Sequence, residues 1–307
     1  MVLLEKEWYI EAPWGRLCII AWGDCCDPPV LVCHGAKDSA ASFRPLIKLL
    51  PKKFYYIGLE LPGNGRSDRM PGGLMLGLHD LVYSLQVLVK HFRWDSFVYL
   101  GHSMGCSLGY IYNISYPGKI SKIIQLDPIT MGFAVPADRF PLWYKMAIAR
   151  YFENYERYNR SNNDKRTYTR EEAIDKIMKR RGFTEEVAVE TLVRVTEPAG
   201  DGLIRFTFDE RVNLVTYPPM SPEYLRKLFT EMTIPILTII AEESKNRNRY
   251  KDVPFVFDED SFPNKNHRWR ALPGGHDLHA NNADIVATIV APFLLHGVAG
   301  LDNKSKL

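Results

Sequence analysis

Three side chains of this 307-residue chain could together carry out nucleophilic acyl chemistry. The first is Ser103, set in Gly101-His102-Ser103-Met104-Gly105. An apolar run, Phe97 to Leu100, leads into it, and a helix-compatible segment from Met104 to Tyr116 follows. Strand, sharp turn and helix form the context in which Gly-x-Ser-x-Gly strains the serine backbone and lifts its hydroxyl above a sheet edge. Gly101 and Gly105 are expected because a Cβ at either place would crowd the neighbouring strand or helix. The second is His276, in Leu272-Pro273-Gly274-Gly275-His276, between the last strand-like run and the last helix. A loop there can deliver an imidazole to the serine as general base. His279, three residues on, is its rival, and His34 reads as structural. The third, an acid to orient the imidazole, is harder to choose.

The elements that must hold these groups follow from pattern. Trp8–Ile10 and Leu17–Ala21 read as strands joined through Ala12-Pro13-Trp14-Gly15. Val30–Cys33 ends in His34-Gly35-Ala36-Lys37-Asp38, and a helix from about Ser42 to Leu50 precedes the strand Tyr55–Leu59. Leu76 to Phe92 has helical period, with Leu78, Leu81, Val82, Leu85, Leu88 and Val89 on one face. Ile120–Leu126 runs into Asp127-Pro128. Alternating strands and helices imply a mostly parallel sheet, here of eight strands, covered on both faces. From residue 132 to 231 the alternation stops, and the stretch reads as a helical cap inserted into a core of 1–131 and 232–302. Tyr144, Ile148, Tyr151, Tyr155 and Tyr158 form one aromatic stripe that packs a helix or roofs a pocket. Ser221-Pro222-Glu223 opens a capped helix. The β/α pattern resumes with Ile234–Ile240, His267–Leu272 and a helix from Asn281 to Leu295.

Composition narrows the partners. With 46% apolar and 24% charged residues and a net charge of +3, nothing marks a nucleic-acid binder. The densest basic run, Lys179-Arg180-Arg181, ends a helix opened by the capping box Thr169…Glu172 and closed by Gly182, so it reads as a solvated helix end. The N-terminus lacks a signal-peptide apolar region, and no run reaches membrane-spanning length. The five cysteines (Cys18, Cys25, Cys26, Cys33, Cys106) lack zinc or redox spacing and read as free thiols of a reducing compartment. Asn-x-Ser at Asn113, Asn159 and Asn303 is then silent. No metal or organic cofactor is implied. The flexible tail, 303–307, ends in Ser305-Lys306-Leu307, the peroxisomal address, so the import receptor is an expected partner and the cytoplasm the default otherwise.

With these pieces in order, the chain resembles the α/β hydrolases. His34-Gly35, Pro62-Gly63-x-Gly65-x-Ser67, Gly101-x-Ser103-x-Gly105 and Pro273-Gly274-x-His276 carry the likeness. Ala12-Pro13-Trp14-Gly15, Ala21-Trp22-Gly23, Phe54-Tyr55-Tyr56 and Leu126-Asp127 are similar to the serine hydrolase-like proteins of animals. The resemblance implies that Ser103 is the nucleophile, His276 the base, and the Ala36 and Met104 amides the oxyanion hole. It also exposes a departure. Many relatives carry Gly-x-x-Asp after the seventh strand, and here Ala241-Glu242-Glu243-Ser244 puts serine in place of the aspartate. Asp127 or Glu243, less readily Glu242, must then supply the acid. Asp127 is preferred because an orienting carboxylate must be buried and fixed, whereas the two glutamates adjoin the polar run 245–249.

The expected reaction is hydrolysis of an ester or thioester, with the aromatic insertion and the tail suggesting a lipid-like acyl substrate. A serine nucleophile excludes the aspartyl-ester chemistry of the fold's dehalogenases and epoxide hydrolases. A non-hydrolytic ligand-binding module and an acyltransferase are the competing readings. Neither oligomeric state nor substrate identity is legible in the sequence.

Overall fold

The computed structural model describes residues 4–128, 134–214, 216–247 and 249–302. Ser305-Lys306-Leu307 and Asn303 lie outside them. The chain opens with the hairpin β1 (Glu5–Ala12) and β2 (Gly15–Trp22), followed by β3 (Pro29–Cys33) and β4 (Tyr55–Leu59). β5 (Phe97–His102) and β6 (Ile120–Leu126) come next. β7 (Thr196–Gly200) and β8 (Leu203–Phe206) make a separate hairpin, and β9 (Ile236–Ala241) and β10 (His267–Leu272) complete the set. The eight-stranded sheet runs β1-β2-β4-β3-β5-β6-β9-β10. β1 and β2 are antiparallel to their neighbours and every other pairing is parallel.

Strand alternation builds a core on each face. On β5, Phe97 and Tyr99 point into the cluster that also holds Leu81, Leu85 and Leu88 of the helix Leu78–Phe92. Val98 and Leu100 point the other way, toward Val286, Val290 and Phe293 of the helix Ala283–His296. β5 is therefore packed in apolar surroundings on both faces, and its polar chemistry lies at its end. The order β4-β3-β5 reverses direction across the sheet, so the chain ends leaving β3 and β5 splay apart at a topological switch point, where such sheets open a crevice. His34 leaves β3 there and Ser103 leaves β5.

The stretch between β6 and β9 departs from an all-helical reading. It contains the helices Arg170–Arg181, Glu185–Val195 and Pro222–Thr230, and also the β7–β8 hairpin. The hairpin is set by Gly200, Asp201 and Gly202, all at positive φ, between strands too short to show a period. The aromatic stripe is not continuous either. A π turn at Lys145–Ala149 and a break at Asn154 interrupt it. Tyr151 and Tyr158 are buried and stacked, while Tyr144 and Tyr155 are exposed. Thr169 and Ser221 do cap their helices, and Gly182 closes the first in the left-handed conformation. A buried ion pair, Arg194 with Glu60 at 2.7 Å, ties this stretch to the end of β4. No helix is long and apolar enough to cross a membrane among the described residues.

Candidate active site

Ser103 sits at φ 55°, ψ −119°, a backbone conformation that L residues avoid, between β5 and the helix Met104–Ser115. Close packing enforces it. A Cβ on Gly105 would lie 2.3 Å from the Cys33 carbonyl oxygen, and one on Gly101 would lie 2.8 Å from the Cys106 nitrogen. The Ser103 N–H donates to the Leu126 carbonyl at 3.0 Å, which locks the turn to the end of β6. The residue is 3% exposed.

His276 follows β10 on its loop and meets the serine, with Nε2 and Ser103 Oγ 2.8 Å apart. On the other side of the ring, Nδ1 lies 2.5 Å from Asp127 Oδ2. Asp127 is the carboxylate that reaches the imidazole. Glu243 does not: it is exposed on the short helix Glu242–Asn246 and pairs with Arg247 at 3.4 Å, and Glu242 is likewise exposed. Asp127 is buried, at positive φ, with its N–H held by the Ile239 carbonyl at 2.7 Å. Its Oδ1 accepts from the Ala241 amide at 2.9 Å and the Tyr250 hydroxyl at 3.2 Å. Its Oδ2 accepts from Ser244 Oγ at 2.6 Å. Burial first, and then Asp127 itself, push the Tyr250 phenol far above its usual range, so it stays a donor. Ser244 thus serves as a hydrogen-bond donor to Asp127.

Gly35 lies against the serine, since a Cβ there would come 2.9 Å from Ser103 Cβ. The next residue, Ala36, and Ser103 share one cavity. The Ala36 and Met104 amides have no hydrogen-bond partner among the described residues. The cavity measures about 600 Å³ and its walls are polar. They include Arg180 and Arg181, the basic run read from sequence as a solvated helix end. That reading fails for Arg181, which reaches inward to Asp38 at 2.9 Å and to Asp277. The helix dipole explains bases at this end, but not the depth of this one.

Three further histidines lie near the serine. His34 Nε2 accepts from the Leu61 N–H at 3.0 Å, a structural role. His102 Nε2 donates to the His276 carbonyl at 2.9 Å and so helps hold the loop that carries His276. His279 is buried, contacts Ser42 Oγ at 3.0 Å and packs on Phe43 and His102. Burial lowers its pKa to about 4, and holds His102 well below the usual range, so both rings are neutral at pH 7. Asp38, His102, Asp277 and His279 bring their ligand-type atoms within 4.8 Å of one another. Sequence spacing hides this cluster completely. A metal ion would have to displace Arg181, whose guanidinium already pairs with both carboxylates.

A strained serine at a strand–helix turn, a histidine after the last strand and a parallel sheet with this strand order are now all in place. The fold can be matched. A sequence profile described as the alpha/beta hydrolase fold matches residues 28–172. The chain has the α/β-hydrolase fold. It is similar to serine hydrolase-like protein 2 of Homo sapiens, 28% identical over 304 residues, covering 95% of this chain and 94% of that one. The serine hydrolase-like protein of Danio rerio is 24% identical over 294 residues, covering 94% and 88%. Among solved structures, a hypothetical protein of Pseudomonas aeruginosa PAO1 superimposes with a TM-score of 0.80 at 23% identity, covering 94% of this chain and 99% of that chain. The thioesterase domain from the curacin biosynthetic pathway gives a TM-score of 0.74 at 16% identity, covering 94% and 99%. At these identities the structural likenesses speak for the fold.

Proposed function

We propose that this α/β hydrolase cleaves a carboxylic ester or thioester through an acyl-enzyme on Ser103. The observation that carries the reading is the unbroken line of hydrogen bonds from Ser103 Oγ through both nitrogens of His276 to Asp127. With Asp127 on Nδ1, the neutral imidazole carries its proton there and presents a bare Nε2 to the serine. His276 takes the hydroxyl proton as Oγ bonds to the substrate carbonyl carbon, and the Ala36 and Met104 amides receive the oxyanion. The bond to the leaving alcohol or thiol breaks, and that group leaves with the proton from His276. Water then attacks the acyl-enzyme by the same route, releasing the acid and restoring the serine. The cavity has the volume of a small-molecule site, and its polar walls favour a substrate with a polar head attached to the acyl group.

Labelling by a fluorophosphonate, read by intact mass, tests this directly. Wild type should take one adduct, Ser103→Ala none, and His276→Ala should react far more slowly. Folded wild type that takes no adduct would mean that the serine is not activated, and a ligand-binding role would replace hydrolysis. A second expectation concerns Ser244. Losing a hydrogen bond to a charged acceptor costs about 1.5–3 kcal/mol, and part of this will be felt at the transition state. Ser244→Ala should therefore lower kcat on a p-nitrophenyl ester by about three- to tenfold. Unchanged turnover would show that Asp127 holds its position without it.

A further inference from the structure

The cations around the cavity fall into two sets. Most are already answered by an acid: Lys179 by Asp175 at 2.7 Å, Arg181 by Asp38 and Asp277, and Arg247 by Glu243. Arg180 and Arg249 line the same cavity as Ser103, yet neither has an ion-pair partner among the described residues. They come from different parts of the chain. Arg180 ends the helix Arg170–Arg181 of the inserted stretch, and Arg249 follows the short helix after β9. A third unpaired cation, Lys37, directly follows Ala36 and shares a small adjoining cavity with Arg180 and Arg181. Its ammonium lies over the Phe208 ring at 5.3 Å. Burial first, and Arg180 next, bring the Lys37 pKa down to about 8. Lys37 and Arg180 lie close enough to repel one another, and an anion would relieve them.

We infer that the substrate carries an anionic group, a phosphate or a carboxylate, which Arg180 and Arg249 hold while the acyl carbonyl lies on Ser103. This rests on the hydrolase reading above and specifies its substrate class. The two arginines come from separate elements and line the same cavity, and Lys37 adds positive potential beside the oxyanion-hole residue Ala36. The polar walls of the cavity suit a charged head better than a second apolar chain.

The test uses one short acyl group on three thiols: N-acetylcysteamine (neutral), 3-mercaptopropionate (carboxylate) and phosphopantetheine (phosphate). At low salt, kcat/KM for one or both anionic thioesters should exceed that for the neutral one by about tenfold or more. The advantage should shrink at about 0.5 M NaCl as the charges are screened. Arg180→Gln and Arg249→Gln should each reduce the anionic-to-neutral ratio by about tenfold, chiefly through KM. Which anionic arm gains tells phosphate from carboxylate. A ratio near one, or a ratio that neither variant moves, overturns the inference, while turnover of the neutral thioester with labelling at Ser103 would leave the hydrolase reading standing. Should none of the three turn over, calorimetric binding of phosphopantetheine and 3-mercaptopropionate to Ser103→Ala protein decides the matter. Binding of either that Arg180→Gln weakens about tenfold supports an anion site, and no binding of either overturns it.

Discussion

Asp127→Asn should fold and lose about four orders of magnitude in kcat, the scale expected when a serine hydrolase's imidazole is turned to the wrong tautomer. The reason lies in how the carboxylate is shared. Oδ1 accepts from a backbone amide and the Tyr250 hydroxyl, while Oδ2 accepts from Ser244 and His276. An asparagine can keep an oxygen on only one side. The Ala241 N–H cannot rotate away, so the amide oxygen stays with it and the NH₂ turns toward His276 Nδ1. The imidazole must then accept at Nδ1 and carry its proton on Nε2, facing Ser103, where it can no longer take the serine's proton. Glu243→Gln provides the contrast. Its carboxylate is more than half exposed and, among the described residues, bonds Arg247 alone, so turnover should stay within about twofold of wild type. Initial rates on a p-nitrophenyl ester, with circular dichroism to confirm folding, check both. If Glu243→Gln is inactive and Asp127→Asn is not, the acid has been misassigned.

Much of this site is legible in the amino-acid sequence. Ser103 and His276 can be found because their surroundings are local: a strand run on one side, a helix on the other, and glycines where backbones must touch. The sheet's strands can be read because parallel strands buried on both faces appear as short apolar runs, as Val30–Cys33 and Phe97–Leu100 do. Expected burial favours one acid over the others, but choosing between them depends on contacts across more than a hundred residues. Asp127 meets Ala241, Ser244 and Tyr250, none of which is near it in sequence. The same holds for what the sequence hides. The pattern of a helix end, acids first and bases last, is satisfied by Lys179-Arg180-Arg181 whether or not one of the three turns inward. Only the packing of that helix over Asp38 and Asp277 decides which one does. The β7–β8 hairpin escapes because strands of five and four residues around Gly-Asp-Gly leave too little alternation to register.

Arg181→Met should cost about 3–5 kcal/mol of stability near pH 7, because it leaves the acids of a buried pair behind. Asp38 is fully buried and Asp277 nearly so. One guanidinium serves both, and Asp38 also accepts from Ser42 Oγ at 2.8 Å. Burial alone would raise the Asp38 pKa, but Arg181 beside it pulls the carboxyl down to about 2. A carboxyl depressed in the folded state contributes stability above its unfolded pKa of about 3.9, and loses it as pH falls toward 2. Without Arg181, burial is left to act and the carboxyl should rise above its unfolded value. The sign then reverses: the variant is penalised at neutral pH and recovers as acid protonates the group. The neighbouring rings of His34, His102 and His279 are held low by burial and then in part by Arg181, so removing it lets them protonate more readily and works in the same direction. The stability gap between wild type and Arg181→Met should therefore be widest near pH 7 and narrow steadily toward pH 4, as urea midpoints across that range would show. Asp277 follows His276 directly, and His102 holds the His276 carbonyl. Loss of this clamp should accordingly lower kcat even where the variant remains folded. A gap that does not change with pH would mean that the two carboxylates are not what Arg181 is there to hold.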